Sequence, residues 1–277
     1  MKIVYFGTPE FSVPFLNALL EEKDLEILAV VTQPDKPVGR DQVLTPPTVK
    51  IRASEGGIPV LQFPSLRKPE AFETLKALGA DVFVVVAYGK LIPQEILDIP
   101  RLGCVNVHPS QLPKYRGPSP IQAAIVNGDR QTAVSIMLLD AGMDTGPILG
   151  QKTVEVMSDD TYLALAKRLQ DVGGPFLVEI LRTYASGAIK PIAQDDNNAS
   201  ITSLLDRESG KIDFSESLED IDRKIRAYYP WPGCYTNVTH NGSELRVKLL
   251  PNQMVQPEGK KPMTMPEFER GYGTLHG

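Results

Sequence analysis

An amide and an imidazole, Asn106 and His108, lie two residues apart in the apolar run "GCVNVH" (103–108). Side chains alternate between the two faces of a β-strand, so a strand here places both on the same face. Pro109 favours an extended backbone at His108, which predicts that the strand ends there. Ligands of open parallel sheets bind beyond the carboxyl ends of the strands, which is where this pair would lie. The alternative is a polar pair that is hydrogen-bonded within the core.

The segment "DAGMDTG" (140–146) follows another predicted strand and contributes two carboxylates, Asp140 and Asp144. Its glycines permit a tight turn that can place one carboxylate beside His108. An ordinary aspartate-rich turn would have the same composition. An amide, an imidazole and a carboxylate without a nucleophile favour direct acyl transfer, in which the amide stabilises an oxyanion and the other two groups manage protons.

Other chemistries find less support in the chain. Ser110 is too close in sequence to His108 for a Ser-His-Asp triad, and no G-x-S-x-G motif is present. The other two histidines, His240 and His276, lie near the C-terminus, and no metal-ligand spacing occurs. The segment "GTPEF" is neither a P-loop nor a G-x-G-x-x-G motif. We therefore expect no metal and no nucleotide cofactor.

The composition is that of an ordinary globular protein of 277 residues, with 42% hydrophobic and 23% charged residues. The net charge of −5 argues against bulk nucleic-acid binding by a basic surface, although a local basic patch stays open. Two cysteines without a CxxC pair fit a reducing compartment. With no signal peptide or membrane span in the sequence, we expect a cytoplasmic location and no membrane association.

Short β-rich runs alternate with helical segments through the first half of the chain, which predicts an α/β fold with a mainly parallel sheet. Thr8 and Pro9 resemble a helix start, and the helix predicted over 161–187 is expected to bend near Gly173–Pro175. The residue pattern changes after the polar stretch 190–206, where one helical segment is followed by short strand-like pieces. We predict a catalytic domain over 1–189, a linker over 190–206 and a small β-containing domain over 207–277. The predicted strands of the first domain are 2–6, 26–33, a short one in "IPVLQ", 80–89, 103–108 and 132–140.

Several motifs together resemble the 10-formyltetrahydrofolate-dependent formyltransferases. They are "VNVHPSQLPKYRGPSPIQ" with "DAGMDTG", and they are accompanied by "IVYFGTPEFSVPFL", "ADVFVVVAYGKLIP" and "IRAYYPWPGCYT". The Asn-x-His and Asp-Thr-Gly elements are common to family members that act on different amines. The segments "GTPEF", "PWPG" and "PEGKKPMT" resemble the methionyl-tRNA formyltransferases in particular, and that similarity covers nearly the whole chain.

The resemblance implies roles for individual residues. Asn106 would hydrogen-bond the formyl oxygen, His108 would polarise it or relay a proton, and Asp144 would orient His108. The folate-binding positions would be Ser110, Gln111, Leu112, Pro113, Ala87, Tyr88 and Leu91. Arg40 lies where the family has a basic loop for the acceptor end of tRNA. The resemblance further implies a Rossmann-like catalytic domain with an OB-like C-terminal domain, 10-formyltetrahydrofolate as co-substrate without a metal, initiator methionyl-tRNA as partner, and a monomer.

The chain departs from the family pattern in two places. The loop "GRDQVL" and the linker carry fewer basic residues than is usual, and the C-terminal domain is shorter than a five-stranded OB barrel requires. Two alternatives therefore stay open: a formyltransferase that acts on a small amine such as an amino-sugar nucleotide, and a non-catalytic protein that binds RNA or folate.

Overall fold

The computed structural model describes residues 1–39 and 41–275. Contacts between residues group the chain into two compact units. Unit 1 comprises Met1–Arg116, Ala133–Val154 and Lys167–Ser200, and unit 2 comprises Gly117–Thr132, Glu155–Ala166 and the chain from Ile201 onward. Residues 190–200 of the expected linker thus group with unit 1. The division into 1–189, 190–206 and 207–277 stays a prediction.

A seven-stranded sheet with the order β5-β2-β1-β6-β7-β8-β9 is the centre of unit 1. The pairs β1–β2, β1–β6, β2–β5 and β6–β7 are parallel, whereas β8 runs antiparallel to β7. The predicted mainly parallel α/β sheet is confirmed. A separate antiparallel hairpin is formed by β3 and β4. The strands are β1 (Lys2–Gly7), β2 (Glu26–Val31), β3 (Lys36–Val38), β4 (Val43–Thr45), β5 (Val60–Leu61), β6 (Val82–Val86), β7 (Cys104–His108), β8 (Gln131–Leu138) and β9 (Ile148–Glu155).

The apolar runs become central strands because both of their faces are covered. All five residues of β6, "VFVVV", are buried, as are all five of β7. A strand buried on both faces carries a continuous apolar sequence, so a polar side chain within it needs a specific reason. The helices of unit 1 are α1 (Val13–Leu20), α2 (Thr48–Glu55), α3 (Pro69–Ala77), α4 (Gln94–Leu97) and most of α6 (Tyr162–Ala185).

The predicted helix start at Thr8 and Pro9 is wrong. A short 3-10 turn spans Glu10–Ser12, and α1 begins at Val13 with Pro14 in its first turn. The Thr8 hydroxyl does not cap a helix, because it donates to the carbonyl oxygen of Tyr88 at 2.9 Å. Pro14 is accepted because the first helical residues need no intrahelical N–H partner.

Helix α6 runs unbroken from Tyr162 to Ala185, and its glycine pair allows it to pack closely against α1. A Cβ atom at Gly173 would lie 2.6 Å from the ring of Phe15 in α1, and one at Gly174 would lie 3.0 Å from the Cβ of Ala18. The glycines are therefore explained by the approach of α6 to α1.

Unit 2 has its own hydrophobic core beneath a four-stranded antiparallel sheet with the order β10-β11-β12-β13. The small C-terminal β domain is confirmed, and its described strands are one fewer than the five of an OB barrel. The elements are α5 (Pro120–Val126), α7 (Leu218–Tyr228), β10 (Cys234–His240), β11 (Ser243–Leu250), β12 (Met254–Pro257), β13 (Met263–Thr264) and α8 (Met265–Tyr272). Over the described residues, every helix is too short or too polar to cross a bilayer.

The two cysteines provide one chemical reporter in each unit. Cys104 and Cys234 are both buried free thiols. Burial raises the pKa of the Cys104 thiol, and burial likewise raises the pKa of Cys234 from 9.0 to about 12. The reactive species is the thiolate, whose fraction falls about tenfold for each pKa unit.

We predict that a soluble alkylating reagent labels the native protein at least about 10³-fold more slowly than the unfolded protein, because the native thiolate is scarce and covered. Mass spectrometry during guanidinium unfolding would measure the two sites separately. Rapid labelling of either thiol in the native protein would contradict the buried placement of its strand.

Candidate active site

Asn106 and His108 lie on β7 as expected, and the strand ends at His108. Their exposed fractions are 8% and 5%. Across the pair of strands, Asn106 lies opposite Met137 and His108 lies opposite Ser135. Two polar side chains on one face of a fully buried strand are the residues that an apolar core least tolerates without polar partners.

The His108 ring is held by a backbone carbonyl. Its Nε2 lies 2.8 Å from the carbonyl oxygen of Tyr115. A carbonyl only accepts hydrogen bonds, so Nε2 must carry a proton. In the neutral ring the lone pair is then on Nδ1, the atom that remains for proton transfer.

Asp144 faces that second nitrogen. Its Oδ2 lies 3.6 Å from His108 Nδ1, which is beyond a direct hydrogen bond but within ion-pair range when the ring is protonated. Asp144 has a left-handed backbone with φ of 55°. Such a conformation is uncommon outside glycine and is found where surrounding contacts enforce it.

Strand polarity alone does not bring Asp144 to His108. Because β8 is antiparallel to β7, with Leu138 opposite Val105, the loop after β8 starts at the far end of β7 from His108. The loop must therefore turn back. The first turn is held by Asp140, whose Oδ1 accepts from Gly142 N at 3.0 Å and from Thr145 Oγ1 at 2.7 Å. Asp140 thus shapes the loop, and Asp144 is the carboxylate that reaches the imidazole.

The glycines of "DAGMDTG" are required by close approach. A Cβ atom at Gly142 would lie 2.0 Å from Thr145 Oγ1, and one at Gly146 would lie 1.9 Å from the carbonyl oxygen of Leu138. Neither position accommodates a side chain without movement of the loop. The spacing of this motif is therefore set by the turn that delivers Asp144.

The predicted folate-binding loop after β7 is tightly hydrogen-bonded. Ser110 is fully buried; its Oγ donates to the carbonyl of Lys114 at 2.6 Å, and its own carbonyl accepts from Ser135 Oγ at 2.5 Å. The hydroxyl of Ser110 therefore stabilises the loop. The carbonyl of Leu112 accepts from Gln151 Nε2 at 2.8 Å, and the Leu112 side chain is buried. Within the predicted set, Gln111 is exposed and Pro113 is partly exposed.

The predicted positions after β6 differ in accessibility. Ala87 and Leu91 are exposed, Leu91 by 79%. Tyr88 is buried, and its ring packs edge-on against Phe6 with centroids 5.5 Å apart. Burial raises the pKa of Tyr88 to about 12. A ligand at this turn would meet Ala87 and Leu91, while the Tyr88 side chain belongs to the core. These assignments stay predictions.

Arg40, predicted to contact tRNA, lies outside the described residues. The β3–β4 hairpin exposes Val38, Val43 and Leu44. Just before β3, Asp35 forms an ion pair with Lys50 at 2.8 Å. Hydrogen bonds from Gln62 and from Lys50 hold the pKa of Asp35 below its usual range.

Sequence reasoning missed the contribution of the expected linker. Gln194 hydrogen-bonds the backbone of the Asp144 loop, and Ser200 hydrogen-bonds the backbone of Tyr115. Both positions lie in a polar, irregular stretch with no motif that would have revealed them. Through the described part of the chain, no group of three or more His, Cys, Asp or Glu residues could hold a metal ion.

Comparison with known proteins gives matches over most of the chain. The formyl transferase family profile matches residues 1–181, and the formyl transferase C-terminal domain profile matches residues 204–254. A methionyl-tRNA formyltransferase from Myxococcus xanthus is 44% identical over 246 residues, which cover 89% of this chain and 78% of the relative. One from Chloroflexus aurantiacus is 48% identical over 236 residues, covering 85% and 76%.

Among solved structures, a sugar N-formyltransferase from a Shewanella species superposes with a TM-score of 0.69 at 18% identity, covering 91% of this chain and 98% of that one. At that identity the likeness establishes the shared fold and leaves the acceptor undecided.

We predict that the neutral His108 ring carries its proton on Nε2, because the Tyr115 carbonyl accepts from that atom. Nitrogen-15 chemical shifts of the imidazoles at alkaline pH would report the tautomer. The spectrum of a His108→Gln variant would assign the signal among the three histidines. A proton found on Nδ1 would contradict the geometry.

Proposed function

We propose that this chain, which belongs to the formyl transferase family, transfers the formyl group of 10-formyltetrahydrofolate to the α-amine of methionyl initiator tRNA. The observation that carries the proposal is the 44–48% identity to methionyl-tRNA formyltransferases over most of both chains. The juxtaposition of Asn106, His108 and Asp144 supplies the chemistry that such a transfer needs.

The reaction is a direct acyl transfer. The neutral amine nitrogen attacks the formyl carbon, a C–N bond forms, and the carbonyl oxygen takes the negative charge of a tetrahedral intermediate. Collapse breaks the bond to N10 of the folate, which receives a proton while the amine loses one. A free α-amino group has a pKa of about 7.7–8.0, so roughly a fifth to a third of it is neutral near pH 7.4 and only a mild base is required.

Each of the three side chains has a distinct part. The Asn106 amide donates to the developing oxyanion, which it can do without reorganisation because the strand holds it in place. His108 manages the proton through Nδ1, since Nε2 is committed to Tyr115. Asp144 stabilises the imidazolium that forms when Nδ1 takes up a proton.

The folate would bind against the turn after β6 and the loop after β7. Ala87 and Leu91 offer exposed apolar surface, and Gln111 and Pro113 are accessible in the loop. Ser110, Leu112 and Tyr88 would act through the backbone positions they fix. The donor, its binding residues, the tRNA contact at Arg40, the cytoplasmic location and the monomeric state remain predictions.

A small-amine acceptor is the alternative, and the small number of basic residues in the loop "GRDQVL" and in the linker is what favours it. The two acceptors differ in their dependence on salt. Phosphate contacts release counterions, so kcat/KM for a tRNA acceptor should fall at least about tenfold between about 50 and 200 mM salt. A small amine has few such contacts.

We predict that the purified protein, given 10-formyltetrahydrofolate, formylates methionyl initiator tRNA in preference to an amino-sugar nucleotide, with that steep salt dependence. Quantifying formyl-acceptor product with each substrate at both salt concentrations tests this. Transfer to the amino-sugar nucleotide alone would establish the alternative, and transfer to neither would refute the proposed activity.

Replacing Asn106 with alanine should lower kcat by about 10²–10³, the usual effect of removing one oxyanion donor. The matched control is Asn127→Ala, which removes an exposed amide whose Nδ2 donates to the Ala123 carbonyl at 2.8 Å. Steady-state kinetics should show normal kcat for the control. Near-normal turnover of Asn106→Ala would remove this residue from the mechanism.

Substitutions of the two carboxylates of "DAGMDTG" should have different effects on kcat. Asp144→Asn removes the charge beside His108 and should lower kcat by about 10²–10⁴. Asp140→Asn keeps an oxygen that can accept from Gly142 N and Thr145 Oγ1, so it should stay within a few-fold of the wild type. Equal losses in both variants would show that loop shape, and not the Asp144 charge, governs the rate.

A further inference from the structure

We infer that Gln194 is a positioning residue for the transfer reaction. It fastens the loop that carries Asp144 to the loop whose carbonyl holds His108. The inference rests on the proposed function for its kinetic consequence, and its structural part stands without it.

The Gln194 side chain bridges the two loops through both ends of its amide. Nε2 lies 2.8 Å from the carbonyl oxygen of Asp144 and 2.7 Å from that of Gly146. Oε1 accepts from Arg116 Nε at 3.1 Å and from Arg116 Nη2 at 2.9 Å. All four hydrogen bonds that a primary amide makes most readily are used.

Only one orientation of the amide satisfies this setting. A guanidinium can only donate and the two backbone carbonyls can only accept, so the oxygen must face Arg116 and the NH₂ group must face the Asp144 loop. The reversed amide would oppose donor to donor and acceptor to acceptor. The environment therefore specifies a side chain with one accepting and one donating end, which glutamine provides and glutamate does not.

The same stretch of chain also holds the other partner of His108. Ser200 Oγ accepts from Tyr115 N at 2.9 Å, and Ser200 O accepts from Arg116 N at 2.8 Å. Tyr115 has a left-handed φ of 62°, and its carbonyl is the group that fixes Nε2 of His108. Gln194 and Ser200 thus connect the two loops that supply the partners of Nε2 and Nδ1 of His108.

Loss of the donating end should release the Asp144 backbone from its left-handed conformation, because contacts outside the loop enforce it. A displacement of about 1 Å in a catalytic group can lower the rate about 10²-fold. We expect kcat to fall about 10- to 100-fold, with KM for the acceptor changed less than about threefold. A general loss of structure would instead lower the amount of active enzyme and the melting temperature together.

The decisive variant is Gln194→Glu. Its carboxylate has the same length and still accepts from Arg116, but it cannot donate to the carbonyls of Asp144 and Gly146. Gln194→Ala removes both ends. The matched control is Asp196→Ala, which removes a different partner of the Arg116 guanidinium, an 82% exposed carboxylate whose Oδ1 lies 2.7 Å from Nη2.

The experiment measures kcat and KM for these three variants, each in the wild-type and the Asp144→Asn background. We expect Gln194→Glu and Gln194→Ala to lose similar activity, Asp196→Ala to stay within about threefold of the wild type, and the Gln194 losses to disappear when Asp144 is already Asn. Wild-type kcat in Gln194→Glu, or an undiminished loss in the Asp144→Asn background, would overturn the inference.

An activity-independent measurement separates this inference from the proposed function. Hydrogen exchange of the unmodified chain and of Gln194→Glu reports backbone opening. Exchange should accelerate in residues 140–146 of the variant while the β6 amides stay protected. Unchanged exchange in 140–146 would overturn the positioning role, whereas absence of formyl transfer by the wild type would refute only the proposed activity.

Discussion

The hydrogen bond between His108 Nε2 and the Tyr115 carbonyl is the interaction on which the rest of the candidate site depends. It fixes the tautomer of the neutral ring, which leaves the lone pair on Nδ1, the atom to which the proposed mechanism assigns proton transfer. The other groups of the site are arranged around His108. Asp144 Oδ2 lies 3.6 Å from Nδ1, and Asn106 lies on the same face of β7 as His108. The proposed transfer uses no protein nucleophile, so its catalysis would rest on orientation, charge stabilisation and proton transfer.

Much of this could be read from the sequence because the relevant constraints are local. Alternation along β7 and the effect of Pro109 on His108 depend on neighbours in the chain, and they gave the right face and the right strand end. Continuous apolar runs likewise marked β1 and β6. The resemblance to formyltransferases identified the family that the comparisons then established. For folate binding, the resemblance gave only sequence positions. The side chains at these positions differ in accessibility, since Leu91 is exposed whereas Tyr88 is part of the core.

What could not be predicted depends on contacts between distant parts of the chain. Gln194 meets Arg116 and the carbonyls of Asp144 and Gly146 across 48 to 78 residues of sequence. Nothing in its own neighbourhood marks it, and a polar irregular stretch therefore looked like a linker. Strand β9 was not predicted because its sequence does not alternate between apolar and polar residues. Its glycine, Gly150, is also explained by a distant contact, since a Cβ atom there would lie 2.6 Å from Ile180 Cδ1. Thr8 looked like a helix cap, but its hydroxyl serves the turn after β6.

In the proposed mechanism, Asp144 acts on the reaction through His108. Single-turnover rates of formyl transfer for His108→Gln, Asp144→Asn and the double variant test it most directly, because residues that act as a unit show losses that do not add. We expect the double variant to react within about threefold of the slower single variant. A double variant slowed by the product of the two separate losses would contradict it, since the carboxylate would then contribute independently of the imidazole.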